Sequence, residues 1–348
     1  MRSCLAMMTL AACAQAPAPA EETGDTYVPR VDPCDAVRAR ANRHSCTSGI
    51  KGEPSPAFGA SGVALSPTFA YEFITDEHDS SCFELTSDRG APVLTQPTYA
   101  QDGRAVWFGP AAPLQPDSDY LLNIYYSCDK VAPIAFHTAS AGVDMSNASL
   151  GTYRLDLASA PWVWQAGDGA LPVRELLRTE DAIVFAPRAP TDARPGWSTL
   201  VGAFDLAGTQ AACAPTADLD LRQSLGVLRT VRVFSLELPM SNGARLVDTT
   251  LYAELTADAS AMVGVQLEGL LDLRDIVVDD DHTVGAACAV LEAAGEQTCG
   301  PCPADDRGGG DYCVPFHMVN GVASFVDTTI TPKDAASIAA DPACTPPG

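Results

Sequence analysis

The clearest pattern in the chain is an alternation of apolar and polar positions, with a period of two residues, within residues 55–138. Large apolar side chains recur at Tyr120, Leu122, Ile124 and Tyr126, which is the spacing of a strand with one buried face. Shorter runs of the same kind are centred on Phe69–Phe73, Phe83–Leu85, Val106–Phe108 and Ile134–Thr138. Short strands separated by turn signals predict an antiparallel β-sandwich over residues 52–139.

The connections between these strands carry a more specific pattern. Residues 101–104 predict a hairpin turn, with Gly103 placed for a positive φ. Residues 108–120 then follow the order Phe-x-Pro-x-x-Pro-Leu-x-Pro-x-x-x-Tyr, and the last strand ends on Phe-x-Thr. This order resembles the bacterial immunoglobulin-like domain of the S-layer-associated type, and the matching residues are Phe108, Pro110, Pro113, Leu114, Pro116, Tyr120, Phe136 and Thr138.

The resemblance covers about a quarter of the chain. It implies a spacer or recognition module of envelope and secreted proteins, with no catalytic residues to carry over. Cys82 and Cys128 depart from the family pattern, and we expect them to form a disulfide that staples the sandwich. Such a loop closure would stabilise the fold by roughly 4 kcal/mol.

A second domain is predicted over residues 151–335, after a linker at residues 140–150 and before a tail at residues 336–348. Its strongest signal is three strands joined by short turns, at Leu228–Leu238, Leu246–Thr256 and Met262–Leu271, which indicates an antiparallel meander. Val263, Val265 and Leu267 are predicted to share its apolar face. Further strands are expected at Tyr153–Leu157, Ile183–Phe185, Leu200–Phe204 and Val319–Val326.

Helices are predicted at Leu171–Arg178 and at Thr283–Ala294. In the second of these, Val284, Ala287, Cys288 and Leu291 are expected on one face. The predicted fold class is therefore mainly β with two domains: an immunoglobulin-like sandwich, followed by an α+β domain built on the antiparallel meander with one or two helices.

The chain has 348 residues, of which 47% are hydrophobic, so it is long enough for two domains with real cores. Its formal net charge is −23, and this charge repels nucleic acid and anionic lipid headgroups. No stretch after the first residues approaches the roughly 20 consecutive apolar residues that a membrane helix needs.

The N-terminus predicts export and lipid attachment. A short basic start, a short apolar run and Leu10-Ala11-Ala12-Cys13 resemble a bacterial lipoprotein signal, in which cleavage at residues 1–12 leaves Cys13 to carry the lipid. Ala14 is not the aspartate that resembles an inner-membrane retention signal, so we expect the outer membrane of a Gram-negative bacterium. Residues 13–33 are rich in Pro and Ala and predict an extended tether.

Cysteine usage agrees with an oxidising compartment. The chain has 12 cysteines, and removing Cys4 and lipidating Cys13 would leave an even number for complete pairing. We expect Cys34 and Cys46 to close a local loop over residues 34–51, in preference to a metal site with His44 as the added ligand. The cysteines expected in disulfides are Cys34, Cys46, Cys82, Cys128, Cys213, Cys288, Cys299, Cys302, Cys313 and Cys344.

Two further patterns have competing interpretations. Cys299-x-x-Cys302 is compatible with a redox pair, or with zinc held together with Cys313 and His317, but its loop context favours structural disulfides. The acidic clusters at residues 279–281 and 305–306 lack the alternating ligands of a calcium loop and are expected to be solvated turns.

No motif of a hydrolase, a metalloprotease or a phosphate-binding loop is present, and the sequence indicates no cofactor or metal site. An enzyme therefore has no positive support. We expect a lipid-anchored envelope protein with a structural, adhesion or ligand-binding role, the sandwich acting as a spacer, and a protein or carbohydrate partner at the cell surface. Trp162 and Trp164 are the candidate binding surface. The competing interpretation, that both are core anchors, is favoured by the usual burial of tryptophan.

Two alternatives stay open. The amphipathic meander could curve around an apolar ligand with the two tryptophans at its mouth, which would make the second domain a carrier. A cavity lined by Val263, Val265 and Leu267 would favour this carrier, whereas a filled core would oppose it. An envelope hydrolase is the third possibility and would need a cleft with convergent carboxylates.

Overall fold

The fold is taken from a computed structural model, in which Pro33–Gly348 is not divided into smaller units. The expected division into two domains is therefore not confirmed. The described residues are Cys34, Val37 and the ranges 50–74, 81–88, 90–99, 103–126, 133–140, 150–157, 162–163, 181–205, 207–224, 226–238, 244–278, 283–293, 298–304 and 308–344.

The first part consists of two four-stranded sheets, which we call the two-sheet module. One sheet has the order β1 (Ile50–Ser55), β3 (Phe69–Phe73), β6 (Ala105–Phe108) and β5 (Thr98–Tyr99). The other has the order β2 (Ala60–Val63), β8 (Ile134–Thr138), β7 (Asp119–Tyr125) and β4 (Cys82–Ser87). All pairs are antiparallel except β2 with β8, which is parallel.

The alternating residues of both sheets meet in one core, as their period predicts. Phe69, Tyr71, Phe73, Val106 and Phe108 from one sheet contact Leu85, Tyr120, Leu122, Ile124, Ile134 and Phe136 from the other. The strands predicted in this part are thus confirmed, and Gly103 has the expected positive φ of 70°.

The second part is a closed eight-stranded antiparallel barrel. In order around the barrel its strands are β9 (Thr152–Asp156), β11 (Asp181–Arg188), β12 (Trp197–Asp205), β13 (Ala217–Ser224), β14 (Val227–Thr230), β16 (Ala244–Leu255), β17 (Ala261–Asp272) and β19 (Asp311–Val326). Pairing of β19 with β9 closes the circle. Three shorter strands pair with its members: β10 (Trp162–Val163) and β18 (Gly300–Pro301) with β19, and β15 (Phe234–Leu238) with β16.

Closure into a barrel is the main difference from the predicted antiparallel meander with one or two helices. The sequence indicated a last strand at Val319–Val326, but β19 begins at Asp311 and is 16 residues long. It pairs with β17 from Cys313 to Ser324 and with β9 from Ala323 to Val326. The predicted strand Leu228–Leu238 is also divided, because β14 ends at Thr230 and β15 begins at Phe234.

Packed side chains occupy the barrel interior. Tyr153, Phe185 and Phe316 are almost fully buried there and belong to one cluster with Val265 and Leu267. An eight-stranded barrel is just wide enough for its own side chains to fill it. The described interior is therefore a packed core.

The predicted apolar face of β17 is wrong at Val263. Met262 pairs with Ala323 and Val265 with Gly321, so β17 has one residue more than β19 between these pairs. This β-bulge lies at Gly264, which has a positive φ of 56°. Because the bulge changes the alternation, Val263 lies outside the barrel and packs on Ala64 and Ala139 of the two-sheet module.

The helices are short. The helix predicted at residues 283–294 is α1 (Ala286–Ala293), whose Ala287, Cys288 and Leu291 join the barrel core. Val284 precedes the helix and is 59% exposed, so its predicted place on the buried face is wrong. The predicted tail contains α2 (Ala335–Ala339) and a 3-10 helix (Pro342–Cys344). The helix predicted at residues 171–178 lies outside the described residues.

No helix in the described part of the chain has the length and apolar character needed to cross a membrane.

Disulfides are present, but two predicted pairings are wrong. Cys34 bonds Cys82, with their Cα atoms 5.5 Å apart, so neither the Cys34–Cys46 loop nor the Cys82–Cys128 staple forms. The reason is packing: Cys34 is buried against Val37 and Tyr125 at the end of β7, beside Cys82 on the neighbouring strand. Cys46 and Cys128 lie outside the described residues. The other described disulfides are Cys213–Cys344, Cys288–Cys299 and Cys302–Cys313.

Candidate functional site

The two-sheet module docks on the outer wall of the barrel formed by β16, β17 and β19. Small side chains make the closest approach, and a Cβ atom added at Gly264 would lie 2.3 Å from the Cβ atom of Ala64. Ala70 of the module packs on Val319 in the same way. The wall is shaped for this contact by the bulge at Gly264 and by a second bulge in β19 at Asn320, where φ is 50°.

A buried carboxylate on β16 holds the chain between β2 and β3 of the module. Glu254 is 6% exposed, and its Oε2 accepts a hydrogen bond of 2.6 Å from the backbone N–H of Leu65. Its Oε1 accepts from the backbone N–H of Ser66 at 3.0 Å and from the hydroxyl of Tyr252 at 2.6 Å. Two main-chain donors of the module are thus satisfied by a charge that belongs to the barrel.

Asn320 makes the second polar attachment. Its Oδ1 accepts from the backbone N–H of Thr68 at 3.1 Å, and its Nδ2 donates to the Ser55 hydroxyl at 2.8 Å and to the carbonyl of Thr68. Asparagine tolerates the positive φ of a bulge better than most residues, which explains why it occupies this position. Glu254 and Asn320 together hold the loop before β3 at two points.

Beside these attachments lies a cleft of about 310 Å³, which we call the junction cleft. Its floor is the outer face of the barrel, and strand register arranges the floor residues in two rows. Arg229, Tyr252 and Gln266 are direct neighbours on β14, β16 and β17. Thr250, Glu268 and His317 are direct neighbours on β16, β17 and β19.

The roof of the junction cleft belongs to the two-sheet module. It is formed by residues 66–68, Thr95 and residues 109–110. The roof thus includes the hydroxyl-bearing residues Ser66, Thr68 and Thr95, and the Thr95 hydroxyl is bonded to the backbone of Gly109. Because roof and floor come from different parts of the chain, the cleft exists only while the module is docked.

Burial changes the acid–base behaviour of two floor residues. The pKa of Tyr252 is raised, first by burial and then by the negative charge of Glu254, so the phenol stays protonated and donates to that carboxylate. Burial lowers the pKa of His317, and the nearby Glu268 carboxylate opposes this effect. His317 is therefore held in its neutral form, which has one donor and one acceptor nitrogen.

The residues singled out from the sequence do not converge on this cleft, with the exception of His317. Trp162 pairs with Met318 across β10 and β19, and Trp164 lies outside the described residues, as do Cys13, His44 and the acidic clusters. The floor residues were missed because they come from β14, β16, β17 and β19, which are distant from one another in the sequence. The signal available in the sequence was Gly264, since a glycine in a strand interior often marks a bulge.

The cysteines near the end of the barrel are structural. Cys299 bonds Cys288 and Cys302 bonds Cys313, so the two cysteines of the C-x-x-C motif are bonded to other partners and not to each other. Asp272, Cys302 and Cys313 lie close together with the spacing of a metal site. Both thiols are consumed by the disulfide, and Asp272 forms a buried ion pair of 3.0 Å with Arg274, so this group does not offer metal ligands.

No protein-family model matches the chain, and no curated protein matches it. Among solved structures it is similar to surface layer protein SbsC, with 9% identity, a TM-score of 0.21, and coverage of 82% of this chain and 53% of that one. It is also similar to an I-band fragment of titin, with 8% identity, a TM-score of 0.20, and coverage of 82% and 95%. The chain thus spans about half the length of the S-layer fragment it matches, and these similarities carry no argument about function.

Proposed function

We propose that this protein is a lipid-anchored binding protein of the cell envelope. Cys13 carries the lipid, residues 13–33 form the tether, and the docked module and barrel present the binding surface. The observation that carries the binding role is the junction cleft, whose walls come from two parts of the fold and whose lining combines charged, amide and hydroxyl groups. Clefts between packed parts of a protein are common ligand sites.

The immunoglobulin-like nature of the two-sheet module belongs to this proposal. Its support is the parallel β2–β8 pair at one sheet edge and a hydrogen bond of 2.9 Å from the backbone N–H of Gln115 to the hydroxyl of Tyr120. A tyrosine near the start of a strand that bonds backbone a few residues upstream is a hallmark of immunoglobulin sandwiches. The module acts as a spacer that also contributes one wall of the site.

The two alternatives receive less support. Val265 and Leu267 lie in the packed barrel core, whereas Val263 lies outside it and lines a separate cleft of about 490 Å³ against the module. These three residues therefore do not line one cavity inside the barrel, which is what the carrier would need. A hydrolase would need two carboxylates free to act in the cleft. Both oxygens of Glu254 already accept hydrogen bonds from the protein, which leaves Glu268 as the available carboxylate among the described lining residues.

Lipid attachment is tested by metabolic labelling with radioactive palmitate in a Gram-negative host that expresses the full chain. We expect the wild type and Cys4→Ser to be labelled, because Cys4 would leave with the signal peptide, and Cys13→Ser to be unlabelled. Equal labelling of the wild type and Cys13→Ser would refute the anchor. It would leave the binding role untouched, because that role rests on the cleft.

A further inference from the structure

The size of the junction cleft limits the ligand that it can hold. A volume of about 310 Å³ is at the lower end of the range for ligand pockets, about 300 to 1,000 Å³. Neighbouring strands are about 4.8 Å apart. The floor of three neighbouring residues in each of two rows therefore matches one compact ring-sized ligand better than an extended chain.

The lining of the junction cleft mixes hydrogen-bond donors and acceptors. Arg229 offers only donors, Glu268 offers only acceptors, and the Gln266 amide and neutral His317 offer both. An apolar ligand would remove these groups from water without replacing their hydrogen bonds, which is costly. A ligand rich in hydroxyl groups can donate to Glu268 and accept from Arg229 at the same time.

The floor of the junction cleft carries two charges of opposite sign, at Arg229 and Glu268. A strongly anionic ligand is disfavoured by Glu268 and by the overall charge of −23. A cationic ligand would face Arg229 across the same small cleft. Opposite charges on the floor therefore favour a ligand that is itself neutral.

Tyr252 adds an aromatic side chain between Arg229 and Gln266, and its hydroxyl is held by Glu254. An aromatic side chain that is fixed in place supplies contact area at little entropic cost. On the basis of the binding role proposed above, we propose that the junction cleft binds one sugar unit of a neutral carbohydrate.

The test uses the full-length protein in mild detergent and the methyl glycosides of glucose, mannose and N-acetylglucosamine as probes. Saturation-transfer NMR and titration should detect binding of at least one neutral glycoside in preference to glucuronate and glucosamine. In the unmutated protein, amide shift changes should be centred on Thr68, Gln266 and Glu268. This mapping does not depend on any variant folding correctly.

Two matched pairs of substitutions then separate the cleft from the rest of the surface. Arg229→Gln and Glu268→Gln should each weaken binding by about tenfold, the effect of losing one charge-assisted hydrogen bond. Arg232→Gln and Glu292→Gln change the same charges at exposed positions outside the cleft and should bind as the wild type does.

Three results would overturn the proposal: no binding of any neutral glycoside, a preference for the charged sugars, or equal affinity in the cleft variants and their controls. Lipid labelling does not enter this test. A failed anchor and a failed carbohydrate site are therefore distinguishable.

Discussion

Replacing Glu254 should loosen the docking of the two-sheet module on the barrel. In Glu254→Ala the backbone N–H groups of Leu65 and Ser66 and the hydroxyl of Tyr252 lose their acceptor. Each hydrogen bond to a charged group contributes about 1.5–3 kcal/mol, and an unsatisfied buried donor costs about 1–3 kcal/mol. Leu65 and Ser66 are only half-buried, so water can replace part of what is lost.

We therefore expect a loss of about 2–4 kcal/mol in the free energy of unfolding, measured by urea denaturation. Amide hydrogen exchange supplies a local readout, because the N–H groups of Leu65 and Ser66 should lose protection while the barrel strands keep theirs. Glu292→Ala removes an exposed glutamate from α1 and is the matched control. Wild-type stability together with unchanged protection at Leu65 and Ser66 would refute the clamp.

Three other changes test separate features. Gly264→Ala should destabilise the protein by about 1–3 kcal/mol, because the added Cβ atom meets Ala64 and φ at this position is positive. Gly196→Ala is the control, because its added Cβ atom lies in open space, and equal unfolding midpoints for the two variants would contradict the prediction. Burial lowers the pKa of His317, so on acidification the unfolded chain takes up this proton at a higher pH than the folded chain does, and the free energy of unfolding should fall as the pH drops from about 6.5 towards the folded pKa. His317→Gln should flatten this part of the pH profile, and an unchanged slope in urea titrations would contradict the prediction. Replacing both Cys213 and Cys344 by Ser removes a disulfide that closes a loop of 131 residues. If this disulfide acts by restricting the unfolded chain, the free energy of unfolding should fall by about 5 kcal/mol in thermal or urea unfolding, and a loss below about 1 kcal/mol would contradict that explanation.

Short-range periodicity predicted the module well because its strands alternate cleanly. Tyr120, Leu122 and Ile124 are buried as their spacing requires, and the positive φ of Gly103 follows from turn chemistry. The barrel was only partly predictable. Seven of its eight strands were indicated at least in part, and β13 was missed. The pairing of β19 with β9 joins residues more than a hundred positions apart, and no local pattern encodes it.

The errors at Val263 and in the disulfides have the same origin. A bulge shifts the alternation of faces, so counting by twos across Gly264 wrongly placed Val263 on the face of Val265 and Leu267. The sequence likewise suggested Cys46 as the partner of Cys34 and Cys128 as the partner of Cys82, whereas the packing of Cys34 on Tyr125 beside Cys82 decided the bond. The junction cleft depends on the pairing of distant strands and on the docking of the module against them, and neither could be predicted from the sequence.

Ligand binding in the junction cleft should depend on the docking of the two-sheet module. Glu254 is outside the described lining of the cleft, but it holds the loop that forms the roof. A ligand that contacts roof and floor binds only the docked arrangement, so its apparent affinity falls with the docked fraction. Glu254→Ala should therefore weaken binding of the methyl glycosides in the NMR titration, whereas Glu292→Ala should not. Undiminished affinity in a variant whose Leu65 and Ser66 amides have lost protection would mean that the barrel floor binds alone and that the module contributes nothing to the site.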